Sequence, residues 1–291
     1  VIYSDALNHA SIIDGARLSR ANIRVFRHND PEHLEEQLSD VKGKYPKLNS
    51  DKPVHQLIVT EGVFSMDGDI APLDHIVSLA RDHKAVIMVD DAHGTGVLGT
   101  GGRGTENHFG VESFIDIKMG TLGKAFGSFG AYVCGSQIFI DYLINTCRSF
   151  IYTTSLPPAV AACAMEGLRI IESEPERIDR LQKNISFIRE GLRAIGFPVQ
   201  VTPTPIIPVV VGNAQKALAL ADGLFERGIF TRAIRPPTVP EGTSRIRVTV
   251  SAIHEKNQLE QALDAFEQTG RTLGLLPPST SSAASFGEQN D

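Results

Sequence analysis

Apolar runs of strand length alternate with helical patterns through the first half of the chain. A short strand pattern opens it at residues 1–5 (VIYSD), and further buried-looking runs fall at 54–60 (VHQLIVT), 85–90 (AVIMVD), 114–119 (FIDIKM) and 130–134 (GAYVC). Residues 72–83 carry a helical pattern between the second and third of these runs. Such alternation predicts an α/β fold whose mostly parallel sheet is covered by helices. From Pro157 the texture changes: helical patterns span 157–172, 175–195 and 215–227 and lie near 255–272, with strand patterns at 205–211, 229–234 and 245–250. We therefore expect a large domain over 1–156 and a smaller α+β domain over 157–275. A tail at 276–291 (LPPSTSSAASFGEQND) is small, polar and poor in anchors, as disordered segments are. No repeat of fixed period is apparent, which sets solenoids and propellers aside.

Composition narrows the function classes. With 291 residues, 42% hydrophobic and 21% charged, the chain has material for a substantial core. A formal charge of −6, from 28 Lys+Arg against 34 Asp+Glu, and the lack of a basic run argue against a nucleic-acid surface. Cys134, Cys147 and Cys163 are odd in number and lack metal-ligand spacing, so neither a disulfide framework nor a metal site is expected, and a reducing cytoplasmic compartment fits best. No apolar run approaches the roughly 20 residues of a membrane span. The chain starts on Val1, not on an initiator methionine, which reads as a fragment or trimmed chain.

Ligands of parallel α/β sheets sit at the carboxyl ends of the strands, so polar groups there are the first candidates for chemistry. Three such ends stand out. Residues 60–68 (TEGVFSMDG) place hydroxyl and carboxylate groups in a Gly-containing loop, which alone reads as turn chemistry. Residues 88–96 (MVDDAHGTG) end an apolar strand in two acids and an imidazole; a lone strand-end Asp is as often a loop cap. Residues 120–127 (GTLGKAFG) embed Lys124 among glycines, and by itself this could be an exposed loop lysine. Together they supply what pyridoxal-5′-phosphate (PLP) chemistry requires. A lysine amine forms the Schiff base, a carboxylate keeps the pyridine nitrogen protonated so that the ring accepts electrons, and an imidazole reaches the phenolic oxygen. A phosphate-binding P-loop fits poorly, because the four-residue spacing is absent and Ala125 follows the lysine in place of Ser or Thr.

The motifs LNHAS (7–11), TEGVFSMDG (60–68), VDDAHGTG (89–96), GTLGKAFG (120–127), IYTTSLPP (151–158) and IRPPTVP (234–240) make the chain similar to the α-oxoamine synthases over about residues 1–272. The resemblance implies a fold-type I, aspartate-aminotransferase-like PLP enzyme that condenses an amino acid with an acyl thioester. The segment DDAHGTG favours the biotin-pathway branch, which uses L-alanine and a pimeloyl thioester, over the branches that use glycine. It further implies that His9 stacks on the cofactor ring and meets the substrate, and that Ser65, Asp90, His93, Thr121 and Lys124 surround the cofactor. Asp90, not Asp91, would take the pyridine nitrogen, His93 the phenolic oxygen, Thr121 the phosphate and Lys124 the Schiff base. Thr238 and Arg247 would face the substrates, with the Arg247 fork on the amino-acid carboxylate. Without the resemblance, His9 reads as a helix-entry residue and Arg247 as a surface strand residue.

Family members place their sites at a homodimer interface, where Thr153 or Thr154 would reach the neighbouring subunit's phosphate. Lys124, freed by L-alanine and lowered in pKa by burial, would take the Cα proton. The carbanion would attack the thioester, the thiol carrier would leave and carbon dioxide would be lost. Family members also carry an upstream segment, with a loop that cups the phosphate and residues that contact the acyl substrate. Two rivals remain: a sister synthase using glycine or serine with another acyl thioester, and a catalytically silent partner subunit, against which Lys124 argues. The carrier, coenzyme A or acyl-carrier protein, is left open, as is acyl-chain length.

Overall fold

A computed structural model describes residues 1–40 and 54–277, in two compact units. The greater part of the tail expected at 276–291 lies outside the described residues. The first unit comprises Val1–Ile185 with Thr202–Ile206, and the second Ser186–Val201 with the chain from Ile207 onward.

The first unit is built on six strands: β1 (Ile2–Asp5), β2 (Ile23–Phe26), β3 (Leu57–Glu61), β4 (Val86–Asp90), β5 (Ile117–Thr121) and β6 (Ala131–Gly135). They lie in the order β2-β1-β3-β4-β5-β6, with the first five parallel and β6 antiparallel to β5. Tyr3, Phe26, Ile58, Ile87 and Val89 are buried in one core with Leu34, Phe64, Leu73 and Ile76. Helix α1 spans Ala10–Leu18, α2 Pro31–Ser39 and α3 Leu73–His83. In α3, Leu73, Ile76, Val77 and Ala80 form the one buried stripe, the i, i+3, i+4, i+7 spacing of an amphipathic helix. Asp30 caps α2 by accepting the His33 N–H at 2.8 Å, and Pro31 fits the first turn, where no backbone donor is needed. Beyond α4 (Thr105–Phe109), the strand expected from 114 begins at Ile117, because Glu112–Phe114 form a 3-10 turn.

After β6 come α5 (Gln137–Thr146), α6 (Arg148–Ile151), α7 (Pro158–Ser173) and α8 (Glu176–Ile195). The expected boundary after residue 156 differs from the observed division, which keeps α7 in the first unit. α7 approaches the loop after β5 closely: a Cβ on Gly167 would stand 2.4 Å from the Phe126 carbonyl oxygen.

The second unit holds β7 (Ile206–Gly212) from Ile207 on, α9 (Ala214–Phe225), β8 (Arg232–Ile234), β9 (Ser244–Thr249) and α10 (Lys256–Thr272). The sheet order is β7-β9-β8, and β8 pairs antiparallel with β9. Its core buries Leu192, Ile207, Val209, Leu220, Leu224, Ile246, Leu259 and Phe266, with Phe197 edge-on to Phe266 at 5.8 Å.

Candidate active site

The parallel register aligns the carboxyl ends of the central strands of the first unit. Glu61, the last residue of β3, lies beside Asp90, the last residue of β4, and Asp90 lies beside Met119 of β5. His9 follows β1 by four residues and Lys124 follows β5 by three. Chemistry-bearing groups from β1, β3, β4 and β5 thus gather at one edge of the sheet, where parallel α/β sheets bind ligands.

The two consecutive acids take different parts. Asp91 is buried and accepts from the Thr105 N–H at 3.0 Å, the Thr105 hydroxyl at 2.5 Å and the Thr95 hydroxyl at 3.1 Å. Burial pushes its carboxyl up to about 7, against the Thr105 hydrogen bonds and with the nearby Glu106 charge adding to the rise. Asp91 therefore ties the β4 end to α4 and has its acceptors engaged. A Cβ on Gly94 would stand 2.1 Å from Asp91 Oδ1, so the turn closes over this carboxylate only where position 94 has no side chain. Asp90 is also buried but accepts the Ala92 N–H at 3.0 Å. Burial raises its pKa, while the Ala92 N–H and the charges of Lys124 and His9 favour its anion.

Glu61 is a group that reading the sequence passed over. Burial, reinforced by the Asp90 charge, pushes its carboxyl up to about 8, although the His9 backbone N–H donates to it and the Lys124 charge favours the anion. A protonated Glu61 beside an ionisable Asp90 at adjacent strand ends resembles carboxyl pairs that share a proton. The signal available in the sequence was the placement of Glu61 and Asp90 at the ends of two consecutive apolar runs.

Lys124 sits in a loop closed by backbone bonds from Leu122 N–H to Gly130 C=O at 2.9 Å and from Ser128 N–H to Leu122 C=O at 2.8 Å. It is exposed, so the burial expected for it is not found. The Thr121 hydroxyl accepts from the Gly123 N–H at 3.1 Å and donates to the Gly130 C=O at 3.1 Å, which shapes the same loop. His9 caps α1: its Nδ1 accepts from the Ser11 N–H at 3.2 Å and meets Ser11 Oγ at 2.8 Å. This is the helix-entry role its sequence position suggested, and it fixes the ring beside the cluster. Ser65 lies in the loop between β3 and α3, and His93 in the turn after β4.

Thr238 and Arg247 belong to the second unit. Arg247 in β9 donates to the Thr249 hydroxyl at 3.1 Å, and burial lowers its pKa. Thr238 is exposed and donates its N–H to Arg235 C=O at 3.0 Å, next to a cis Pro236–Pro237 bond. Thr153 and Thr154 are exposed. The three cysteines are free thiols. Among the described residues no cluster of three or more His, Cys, Asp or Glu could hold a metal ion, and no helix is long and apolar enough to cross a membrane.

The donor set fits PLP: an amine, a carboxylate beside it whose anion that amine favours, and a second acid diverted into structure. The sequence pattern of the aminotransferase class I and II family matches residues 1–266, and this match together with the sheet topology defines the chain as a fold-type I PLP-dependent transferase. The 8-amino-7-oxononanoate synthase of Symbiobacterium thermophilum is 48% identical over 275 residues, which are 94% of this chain and 68% of that protein. Among solved structures, Sphingomonas wittichii serine palmitoyltransferase is similar with a TM-score of 0.88 at 37% identity, over 95% of this chain and 67% of that one. The 8-amino-7-oxononanoate synthase of Francisella tularensis is similar with a TM-score of 0.76 at 34% identity, over 93% of this chain and 75% of that one. The chain belongs to the aminotransferase class I and II family and, within it, groups with the 8-amino-7-oxononanoate synthases as a PLP-dependent acyltransferase.

Proposed function

We propose that the chain catalyses the decarboxylative condensation of L-alanine with a pimeloyl thioester, on coenzyme A or an acyl-carrier protein, to give 8-amino-7-oxononanoate for biotin biosynthesis. The division of labour between the strand-end acids, with Asp91 committed to Thr105 and Thr95 and Asp90 left beside Lys124, supports PLP chemistry, and the 48% identity to an 8-amino-7-oxononanoate synthase supports these substrates. PLP, when bound, supplies the electron sink for the pair released at the amino-acid Cα. Asp90 holds the proton on the pyridine nitrogen. Lys124 Nζ would hold the cofactor, and its amine would remove and return the amino-acid Cα proton. His9 offers its ring to the cofactor face and to the substrate, while His93, Ser65 and Thr121 serve the polar substituents. Arg247 pairs its guanidinium fork with the amino-acid carboxylate, and Thr238 faces the substrates. We further propose that the working form is a cytoplasmic homodimer in which Thr153 or Thr154 reaches the neighbour's phosphate.

The test supplies PLP, a pimeloyl thioester and each of L-alanine, glycine and L-serine, with the ketone product read by mass spectrometry. L-Alanine should exceed the other two by roughly tenfold or more in kcat/KM, the scale one small side-chain difference can command. The likeness to serine palmitoyltransferase favours a second reading, in which serine and a longer acyl thioester are the substrates. Preference for serine when the same panel is repeated with a long-chain acyl thioester would select it, and no product from any pairing of amino acid and thioester would remove both.

A further inference from the structure

His28 lies two residues beyond β2, outside the groups assigned above, and its ring is clasped from both sides. Nδ1 is 2.9 Å from Asp5 Oδ1 and Nε2 is 2.7 Å from Asp69 Oδ2. Asp5, the last residue of β1, is 1% exposed in its side chain, and His28 and Asp69 are each 24% exposed. A neutral imidazole has one N–H and would set a lone pair against the other carboxylate, whereas the cation donates at both contacts. Burial opposes this charge, but the hydrogen bonds and charges of Asp5 and Asp69 outweigh it and push the ring up to about 10. Asp5 and Asp69 are the charged groups that face the ring; the neighbouring Arg27 is engaged with Asp30 at 2.7 Å. Phe64 packs edge-on to the imidazole at 4.4 Å.

The clasp matters for what hangs on its two ends. Asp5 also accepts the Leu7 N–H at 2.8 Å and the Asn29 N–H at 2.9 Å, which fixes the turn that delivers His9. Asp69 also accepts the Asn29 side-chain N–H at 2.8 Å, and its carbonyl accepts the Phe64 N–H at 3.0 Å. With the Gly68 N–H to Phe64 C=O bond at 2.8 Å, this closes the loop that carries Ser65. One ring thus joins the β1 end, the β2 end and the loop after β3.

We propose that His28 is a positioning residue: as a cation held between Asp5 and Asp69, it fixes the His9 turn and the Ser65 loop in the mutual placement that receives the cofactor. This rests on the assignment of His9 and Ser65 to the cofactor site. Three measurements test it on the full chain. Nitrogen-15 NMR of the cofactor-free protein should show both His28 ring nitrogens protonated at about pH 8, as expected of a residue whose ordinary value near 6.5 is raised by two carboxylates. The PLP dissociation constant of His28→Gln and of Asp69→Asn, measured where circular dichroism shows each folded, should rise roughly tenfold or more, since small displacements of positioning groups carry such costs. Borohydride trapping of wild type with peptide mapping locates the covalent link. If His28→Gln does not fold, Asp69→Asn decides the matter. Affinity within about twofold of wild type in the folded variants, with only melting temperature lowered, would reduce the clasp to a structural role and overturn the proposal. A His28 that titrates near 6.5 would also overturn it. A link trapped away from Lys124 would instead count against the assignment of the site, leaving the charge of His28 to be judged by NMR alone.

Discussion

Replacing Glu61 by Gln should remove a large, signed pH dependence from the stability of the cofactor-free protein. Glu61 is buried at the end of β3 beside Asp90, and its pKa rises from 4.5 to about 8, chiefly by burial and then by the Asp90 charge. A carboxyl raised on folding binds its proton more tightly in the folded state. Its contribution is therefore fully present below about pH 4.5 and is lost as pH rises through about 8. At about 1.4 kcal/mol for each pH unit, the whole window corresponds to an upper limit near 5 kcal/mol. Relaxation and water entry at the strand ends should reduce this to about 2–4 kcal/mol. Gln keeps a carbonyl oxygen for the His9 N–H and does not titrate. Urea unfolding of both proteins at about pH 5 and about pH 9 measures the effect, with the difference between them isolating residue 61. Asp91 and His28 titrate in both proteins and cancel, while any change in Asp90, which lies beside residue 61, is part of the measured difference. Relative to wild type, Glu61→Gln should gain about 2–4 kcal/mol across that range. A difference constant to within about 0.5 kcal/mol would show that Glu61 is ionised in the fold and would refute the reasoning.

The remaining predictions concern the β4 end. Asp91→Ala should cost about 3 kcal/mol or more in chemical denaturation, because it strands the buried Thr105 N–H and hydroxyl, whereas Asp90→Ala should change stability by under about 1 kcal/mol. The same pair should reverse in activity, with Asp90→Ala losing roughly a hundredfold or more in kcat; equal behaviour in both assays would undo the division of labour between them. Gly94→Ala should destabilise by about 1–3 kcal/mol or more, read as a lowered unfolding midpoint, because its Cβ would meet Asp91 Oδ1 at 2.1 Å.

Apolar runs made strands legible in the sequence, whereas short elements with few apolar positions were not. β3 and β4 read directly from IVT and IMV, since strands covered on both faces carry unbroken apolar runs. Of α1, β2 and α2 in residues 10–40, only the entry to a helix at His9 was expected: β2 alternates exposed and buried positions over four residues, and α1 buries a single residue, Ala16. The strand-end acids and Lys124 were visible as candidates because topology places strand ends together whatever the side chains do. Which neighbouring acid serves structure was less visible. The resemblance pointed to Asp90, and the discriminating fact is that Thr105, fourteen residues on, folds back onto Asp91. Glu61 and His28 escaped notice for the same reason, since their partners, Asp90, Asp5 and Asp69, are distant in sequence.

The central claim, that Lys124 is the lysine that carries PLP, is tested most directly by adding PLP, reducing with borohydride and mapping the labelled peptide by mass spectrometry. A single label on Lys124, absent from Lys124→Ala, is the predicted result. A label on another lysine, or one that persists in Lys124→Ala, would contradict the account.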